Sequence, residues 1–280
     1  MKTENQGTAL ITGASSGIGL HLAHVFAKNG HNLVLVAPIP SEIEEVANQI
    51  QTQFGVSVRA LPVDLATLDE DPTVFADVAD DVRILCNNAG LGRRGRFEEV
   101  SLDDHLQILR VNVEAVLRLT AFFLPRFIER GSGRILNTAS IAGFEPGPLM
   151  ASYHASKAYV LSLTESLATE NAETGVTFTA LCPGPVDTDF FEKAGMPEAV
   201  AFQKGNLMAP QDVAEAAYEA LMAGKRTVVP GAINKANIAS SRVTSKAAQA
   251  KMSQKQYEDA DEHKRDRGDK EIPAMARHHH

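Results

Sequence analysis

The chain has too few cysteines, too little positive charge and apolar runs too short for it to belong to several large classes of protein. It carries two cysteines, Cys86 and Cys182, each ending a predicted buried strand. Two cannot staple a disulfide scaffold, and reduced core thiols account for them better than a disulfide or a metal pair. Acidic residues outnumber basic ones, 35 to 27, giving a net charge of −8. That balance argues against a nucleic-acid surface. No apolar run reaches the length of a membrane span, and residues 1–7 hold no apolar leader region. The expectation is a cytoplasmic protein with neither membrane nor nucleic acid as partner. The closing Arg277-His278-His279-His280 resembles a tag remnant, so those histidines are set aside and no metal site is expected.

What is present is an ordinary globular composition, 44% hydrophobic and 22% charged, with a regular alternation of strand and helix patterns. Strands are predicted at 7–12, 32–37, 56–63, 82–86, 133–140, 176–182 and 227–230, with helices between them. Ser41 is the expected cap of the helix at 41–54, a helix is expected at 72–79, and one long helix is expected from Ser101 to about residue 128. The pattern predicts an α/β fold: a Rossmann-like doubly wound parallel sheet of about seven strands with helices on both faces, in a single domain over 1–231. Residues 232–276 read as a charged extension with a helix near 246–257 and a solvated tail, and 277–280 as the tag remnant. No chemistry is assigned to the extension.

Four stretches that follow strand ends carry the chemistry, and such sheets bind ligands at the carboxyl ends of their strands. Gly13-Ala14-Ser15-Ser16-Gly17-Ile18-Gly19 lies between a strand and a helix. Its glycines allow a tight turn and close backbone approach to a pyrophosphate, and the helix start supplies free N–H groups. Asn87-Asn88-Ala89-Gly90 can pass close to a flat ligand, with Asn87 a turn-former rather than a catalytic group. Ser140 presents a hydroxyl, and Pro183-Gly184-Pro185-Val186-Asp187-Thr188 follows the sixth strand. Tyr153 and Lys157, four apart, share one helical face. Alone, such a pair is more often an amphipathic surface couple. Beside the other stretches it reads as a phenol whose proton the ammonium makes easier to remove. Bringing a free tyrosine to neutrality takes about 3 pKa units, or about 4 kcal/mol. A general acid need only approach the working pH. Asn112 stands among valines and needs partners. His154, about 100° around the helix from Tyr153, is expected at the pocket rim or the surface.

In dinucleotide folds an acid at the end of the second strand holds a ribose 2′-hydroxyl, and an arginine there favours a 2′-phosphate. Ala37-Pro38 offers neither, and Glu42 is the first acid beyond. NADP(H) is favoured over NAD(H) because no carboxylate at Ala37 repels a phosphate. Phe144, Pro146, Leu149, Met150 and the apolar residues of 190–208 suggest a lid over a hydrophobic substrate.

Together these motifs resemble the short-chain dehydrogenase/reductase family over residues 7–231. The resemblance implies that Gly13, Ser15, Ser16, Gly17, Ile18 and Gly19 cradle cofactor phosphates, that Asp64 contacts the adenine, and that Asn88, Ala89 and Gly90 line the ribose side. It implies Tyr153 as general acid/base, Lys157 as its pKa-lowering neighbour and ribose ligand, Ser140 as the substrate-oxygen donor, and Asn112 as support for a relay water. Pro183, Gly184, Val186 and Thr188 would flank the nicotinamide. The implied activity is NAD(P)-dependent hydride transfer between nicotinamide and a small carbonyl or secondary-alcohol substrate, in a homodimer or homotetramer. The alternatives are a catalytically silent nicotinamide-binding regulator on the same fold and a scaffold protein whose charged tail is the working part.

Overall fold

The first strand, β1 (Thr8–Thr12), is apolar on both faces and buried from Ala9 onward, as expected of a strand covered from two sides. In the computed structural model, which describes residues 6–68, 73–196, 207–241 and 243–258, it lies inside a seven-stranded parallel sheet. The other strands are β2 (Asn32–Ala37), β3 (Val58–Pro62), β4 (Val82–Asn87), β5 (Gly133–Thr138), β6 (Val176–Leu181) and β7 (Thr227–Val228). Their order is β3-β2-β1-β4-β5-β6-β7, so the winding reverses between β1 and β4. Helices α1 (Gly17–Lys28), α2 (Pro40–Phe54), α3 (Ala76–Ala79), α4 (Leu102–Leu109), α5 (Ala115–Arg130), α6 (Ala151–Glu170), α7 (Phe190–Lys193), α8 (Pro210–Met222), α9 (Ala232–Ser241) and α10 (Lys246–Tyr257) complete the described elements.

The two-residue period of each strand divides the core. Ala9, Ile11, Leu33 and Leu35 face α1, α2 and α8, with Leu22, Phe26, Ile43, Ile50, Val213 and Leu221 packed against them. Leu10, Val34, Val36 and Leu85 face the opposite layer, where α5 contributes Leu119, Phe123 and Phe127. Helices therefore cover both faces, and the crevice at the β1/β4 switch point opens at the strands' carboxyl ends.

Several boundaries differ from expectation. Helix α2 starts at Pro40 with Ile39 before it, not at a Ser41 cap; the proline ring pre-sets the first helical turn and lacks only an N–H that would go unpaired anyway. The 72–79 helix is a short 3-10 turn, Thr73–Phe75, running into α3, and its expected first residue lies outside the described residues. The long helix is interrupted by a π-helical turn, Arg110–Glu114, with Asn112 inside it. The 246–257 helix is present as α10. Residues 197–206 of the expected lid and the charged tail from residue 259, with the tag, lie outside the described residues.

Candidate active site

The glycine turn after β1 is built for close approach. Gly13 and Gly17 hold left-handed φ angles of +66° and +54°, which suit glycine. A Cβ on Gly19 would lie 2.0 Å from the Gly13 carbonyl oxygen and 2.6 Å from Asn88 Nδ2. Ser16 precedes α1 without making a side-chain cap, and no acid occupies the first turn. The leading N–H groups thus remain available to an anion.

The second wall is tied to the first through Thr12. Its Oγ1 accepts hydrogen bonds from the Asn88 and Ala89 backbone N–H groups at 2.9 and 3.0 Å. Asn88 Nδ2 donates to the Thr12 carbonyl at 3.0 Å, and Thr138 Oγ1 donates to Asn88 Oδ1 at 3.2 Å. Asn87 points into the core, where Nδ2 bonds Asn137 Oδ1 at 2.8 Å and Thr120 Oγ1 at 3.3 Å. Asp64 Oδ1 accepts from the Ala66 N–H at 2.9 Å, shaping the turn after β3.

Helix α6 delivers Tyr153 and Lys157 to one cleft with Ser140, the residue two past β5. Lys157 is buried, and its Nζ donates to the Thr138 carbonyl at 2.8 Å and lies 5.7 Å from the Tyr153 ring centroid. Desolvation pulls its ammonium down to about 8. Desolvation by burial pushes the Tyr153 phenol up to about 12, with the Ser140 hydroxyl acting in the opposite direction. This differs from the expected depression: burial favours the neutral phenol. The Ser140 hydroxyl also accepts from the Ala142 N–H at 3.1 Å.

Asn112 lies behind this cleft. The π-turn directs its amide at Leu91, accepting from the N–H at 2.7 Å and donating to the C=O at 2.9 Å. Its second N–H reaches Ser156 Oγ at 3.0 Å, and Ser156 in turn donates to the Tyr153 carbonyl at 2.7 Å. Interruptions of this kind often occur at functional sites.

The cleft has a volume of about 710 Å³. Ser15, Ser16, Ile18, Asp64, Asn88, Ala89, Gly90, Ser140, Tyr153 and Lys157 line it, as do Gly13, Gly17, Pro183, Gly184, Val186 and Thr188. Gly19 and Asn112 do not. Gly19 is the tight-packing glycine behind the turn, and Asn112 acts on the cleft only through Leu91 and Ser156. At one end are Ala37, Pro38, Ile39 and Glu42; at the other are Met150, Phe190, Phe191, Met196 and Tyr257. Phe190 stands 5.3 Å from Tyr153, ring centre to ring centre. Leu149, just before the buried Met150, is the one described non-glycine residue with positive φ, at 68°. Both cysteine thiols are buried, and burial pushes Cys182 up to about 12, so neither is poised to react.

Sequence reasoning missed three contributors. His154 is buried, not at the rim, because the 145–148 loop covers it; a Cβ on Gly147 would meet its ring at 2.0 Å. Asn234 of α9 fills the space beside Gly184, where a Cβ would come within 2.5 Å of it. Tyr257 reaches the cleft from α10. The signal for the last was the spacing Gln249-Ser253-Tyr257, one face of a helix whose only large apolar residues are Met252 and Tyr257.

Residues 7–199 match the model of the family described as short chain dehydrogenase. The chain belongs to the short-chain dehydrogenase family of oxidoreductases. Among its relatives is the oxidoreductase UcpA of Salmonella typhimurium, 38% identical over 66% of this chain and 71% of that one. A short-chain dehydrogenase from Sphingobium yanoikuyae, solved in complex with NADPH, is 31% identical with a TM-score of 0.73, covering 86% of this chain and 97% of its own. One from Burkholderia phymatum, solved in complex with NAD, is 26% identical with a TM-score of 0.75, covering 85% and 93%. Among the described residues no helix is long and apolar enough to cross a membrane.

Proposed function

We propose that this chain is an NAD(P)-dependent oxidoreductase interconverting a hydrophobic carbonyl compound and its secondary alcohol, with Tyr153 as general acid/base. The carrying observation is that Ser140, Tyr153 and Lys157 line one cleft with a glycine turn whose leading helix N–H groups are uncapped. The cradle fits a dinucleotide: a Cβ at Gly90 would come 3.2 Å from Lys157 Nζ, so backbone and ammonium can both approach a flat ligand. When bound, that cofactor supplies or receives the hydride.

The chain's own residues handle the oxygen and its proton. Ser140 donates a hydrogen bond to the substrate oxygen, holding it against the phenol. In reduction, Tyr153 passes its proton to that oxygen as negative charge develops there. Lys157 holds the cofactor's ribose with the N–H groups that Thr138 leaves unused, and its positive charge steadies the phenolate that forms. Burial holds the resting phenol neutral, the state required of an acid. Ser15, Ser16, Gly17 and Ile18 hold the phosphates, Asp64 the adenine, and Asn88, Ala89 and Gly90 the ribose side. Pro183, Gly184, Val186 and Thr188 flank the nicotinamide. Gly19 and Asn112 serve from behind the wall.

NADP(H) is the preferred form on this reading because Ala37 itself sets no carboxylate against a 2′-phosphate at the end of β2. Glu42 at the same end of the cleft limits that preference. The working unit is a homodimer or homotetramer, residues 1–231 form the catalytic domain, and the site of action is the cytoplasm. A carbonyl and alcohol panel assayed with both cofactors tests the reading. Turnover that is lost in Tyr153→Phe while cofactor still binds supports it. No turnover on any member, with cofactor bound, would favour a silent binding protein.

A further inference from the structure

Helix α10 is an odd helix to find packed on a protein body. Its buried residues are Gln249 and Ser253, and its apolar Met252 is exposed. Polar links hold it instead: Lys246 Nζ donates to the Phe144 carbonyl at 3.0 Å, and Gln249 Nε2 donates to the Ser241 and Thr244 carbonyls at 2.6 and 2.8 Å. Gln249 Oε1 and Ser253 Oγ, on the same buried face, have no partner among the described residues. A helix docked at that cost is not held there by burial of apolar surface alone.

Its last residue gives a reason for the position. Tyr257 lines the cleft and packs against the cluster of Met150, Ala194 and Met196, on which Phe190 and Tyr153 also pack. Its hydroxyl lies 2.9 Å from His154 Nε2, and His154 Nδ1 lies 2.9 Å from the Glu145 carbonyl. A carbonyl only accepts, so Nδ1 carries the imidazole hydrogen. Nε2 is then the acceptor, and the Tyr257 hydroxyl donates to it. The histidine next to the proposed acid/base therefore latches a second phenol ring, brought from the extension, against the same aromatic and methionine wall. The rings of His154 and Tyr257 meet edge to face at 5.6 Å.

We propose that Tyr257 is a specificity-determining residue: its ring, latched by His154, closes the substrate end of the cleft and limits the size of the apolar arm a ketone or secondary alcohol can carry. The inference rests on the function proposed above and assigns the C-terminal extension a part in choosing the substrate. It also separates the two ends of the cleft, because Tyr257 packs against Met150, Ala194 and Met196, whereas the glycine turn follows β1.

The test compares full-length wild type, Tyr257→Ala and Tyr257→Phe, using a small methyl ketone and an aryl ketone with a bulky second arm. In Tyr257→Ala the ratio of kcat/KM for the bulky over the small ketone should rise by about tenfold or more, the discrimination a pocket wall can exert. Tyr257→Phe keeps the ring and loses the latch, so its ratio should move the same way but less. Cofactor Kd, read from nicotinamide fluorescence, should match wild type in both. Binding of the corresponding bulky aryl amide, which cannot be reduced, to the enzyme–cofactor complex reads the same wall without turnover and should tighten in Tyr257→Ala. Wild-type turnover or amide binding with an unchanged preference in Tyr257→Ala overturns this inference alone, as does Tyr257→Phe shifting as far as Tyr257→Ala. Neither turnover nor amide binding in wild type overturns the proposed function and this inference with it.

Discussion

The side-chain amide of Asn112 pairs with both backbone groups of Leu91, as one strand pairs with another. The π-turn turns a helical side chain into a support for the segment after Gly90, and Ser156 extends that support to the backbone of Tyr153. Asn112→Ala should unpair the Leu91 N–H and C=O together. An unsatisfied buried group costs about 1–3 kcal/mol; Leu91 is partly buried at the cleft, so urea unfolding should show a loss of about that size for the pair. Asn112→Asp should do no better, because a carboxylate cannot donate to Leu91 or Ser156. A loss confined to kcat, with unchanged stability, would contradict the role.

For the proposed chemistry, Tyr153→Phe removes one oxygen and the transferable proton. Turnover should fall by at least about 10²–10⁴, the usual contribution of a general acid. Ser140→Ala should cost about 10²–10³ in kcat if the hydroxyl acts as an oxyanion donor. Fluorescence titration should find cofactor affinity near wild type in both. Wild-type rate in Tyr153→Phe would remove the residue from the mechanism.

Lys157 sets a pH signature in stability. Its folded-state value, about 8, lies below the ordinary 10.5. Between those values the unfolded chain binds more protons, so this group's contribution makes the protein more stable as pH rises from about 8 towards 10.5, and its full cost is present below 8. Tyr153 acts oppositely and later, losing stability above its ordinary 10.0 and through about 12. Relative to wild type, Lys157→Met should therefore be better placed at about pH 7 than at about pH 9.5. Paired denaturant curves at the two pH values measure the difference; an equal offset at both would mean the ammonium is not desolvated.

Gly19 and Gly55 form a controlled pair. A Cβ at Gly19 meets the Gly13 carbonyl and Asn88, whereas at Gly55 (φ +69°) it meets nothing within 4 Å. Gly55→Ala should cost about 1–2 kcal/mol for its left-handed backbone and leave cofactor Kd unchanged. Gly19→Ala must push the turn and Asn88 apart and should weaken cofactor binding by at least about tenfold, or about 1.4 kcal/mol. Equal effects on Kd would detach the glycine turn from the cofactor.

These contrasts show which parts of the molecule were legible in the sequence. The parallel sheet could be read because its strands are short, apolar and evenly spaced, and four of the site stretches follow strand ends. The π-turn could not, since Arg110 to Glu114 has no unusual composition; only Asn112 among valines hinted at it. The raised Tyr153 phenol was hidden because a four-residue spacing says the lysine is near, not how deeply the phenol itself is buried. His154 was misplaced because periodicity treats a helix as having one inner face, and α6 is covered on a second side by the 145–148 loop and α10.

Cofactor choice turns on the charge at one end of the cleft, and Glu42 is the carboxylate nearest in sequence to the end of β2. Glu42 stands with Ala37, Pro38 and Ile39 at one end of the cleft, and the cations that line it among the described residues, Arg93, Lys157 and Lys193, lie on neither β2 nor α2. Arg93 is engaged by Asp104 at 3.1 Å and the Lys193 carbonyl at 2.9 Å. Among the described residues, a 2′-phosphate at the Ala37 end would meet the carboxylate of Glu42, with that of Asp64 after the neighbouring strand, and no cation that lines the cleft there. In water, unit charges at 4 Å interact by about 1 kcal/mol, so reversing Glu42 to lysine should shift the NADPH-over-NADH affinity ratio by about tenfold or more, or about 1.4 kcal/mol. Glu42→Gln should give a smaller shift of the same sign. Both shifts should shrink with added salt, because the group is exposed. If Glu42→Lys leaves the ratio unchanged at low salt, the 2′-position of the cofactor lies elsewhere, and Ala37 loses its bearing on the choice between the two nucleotides.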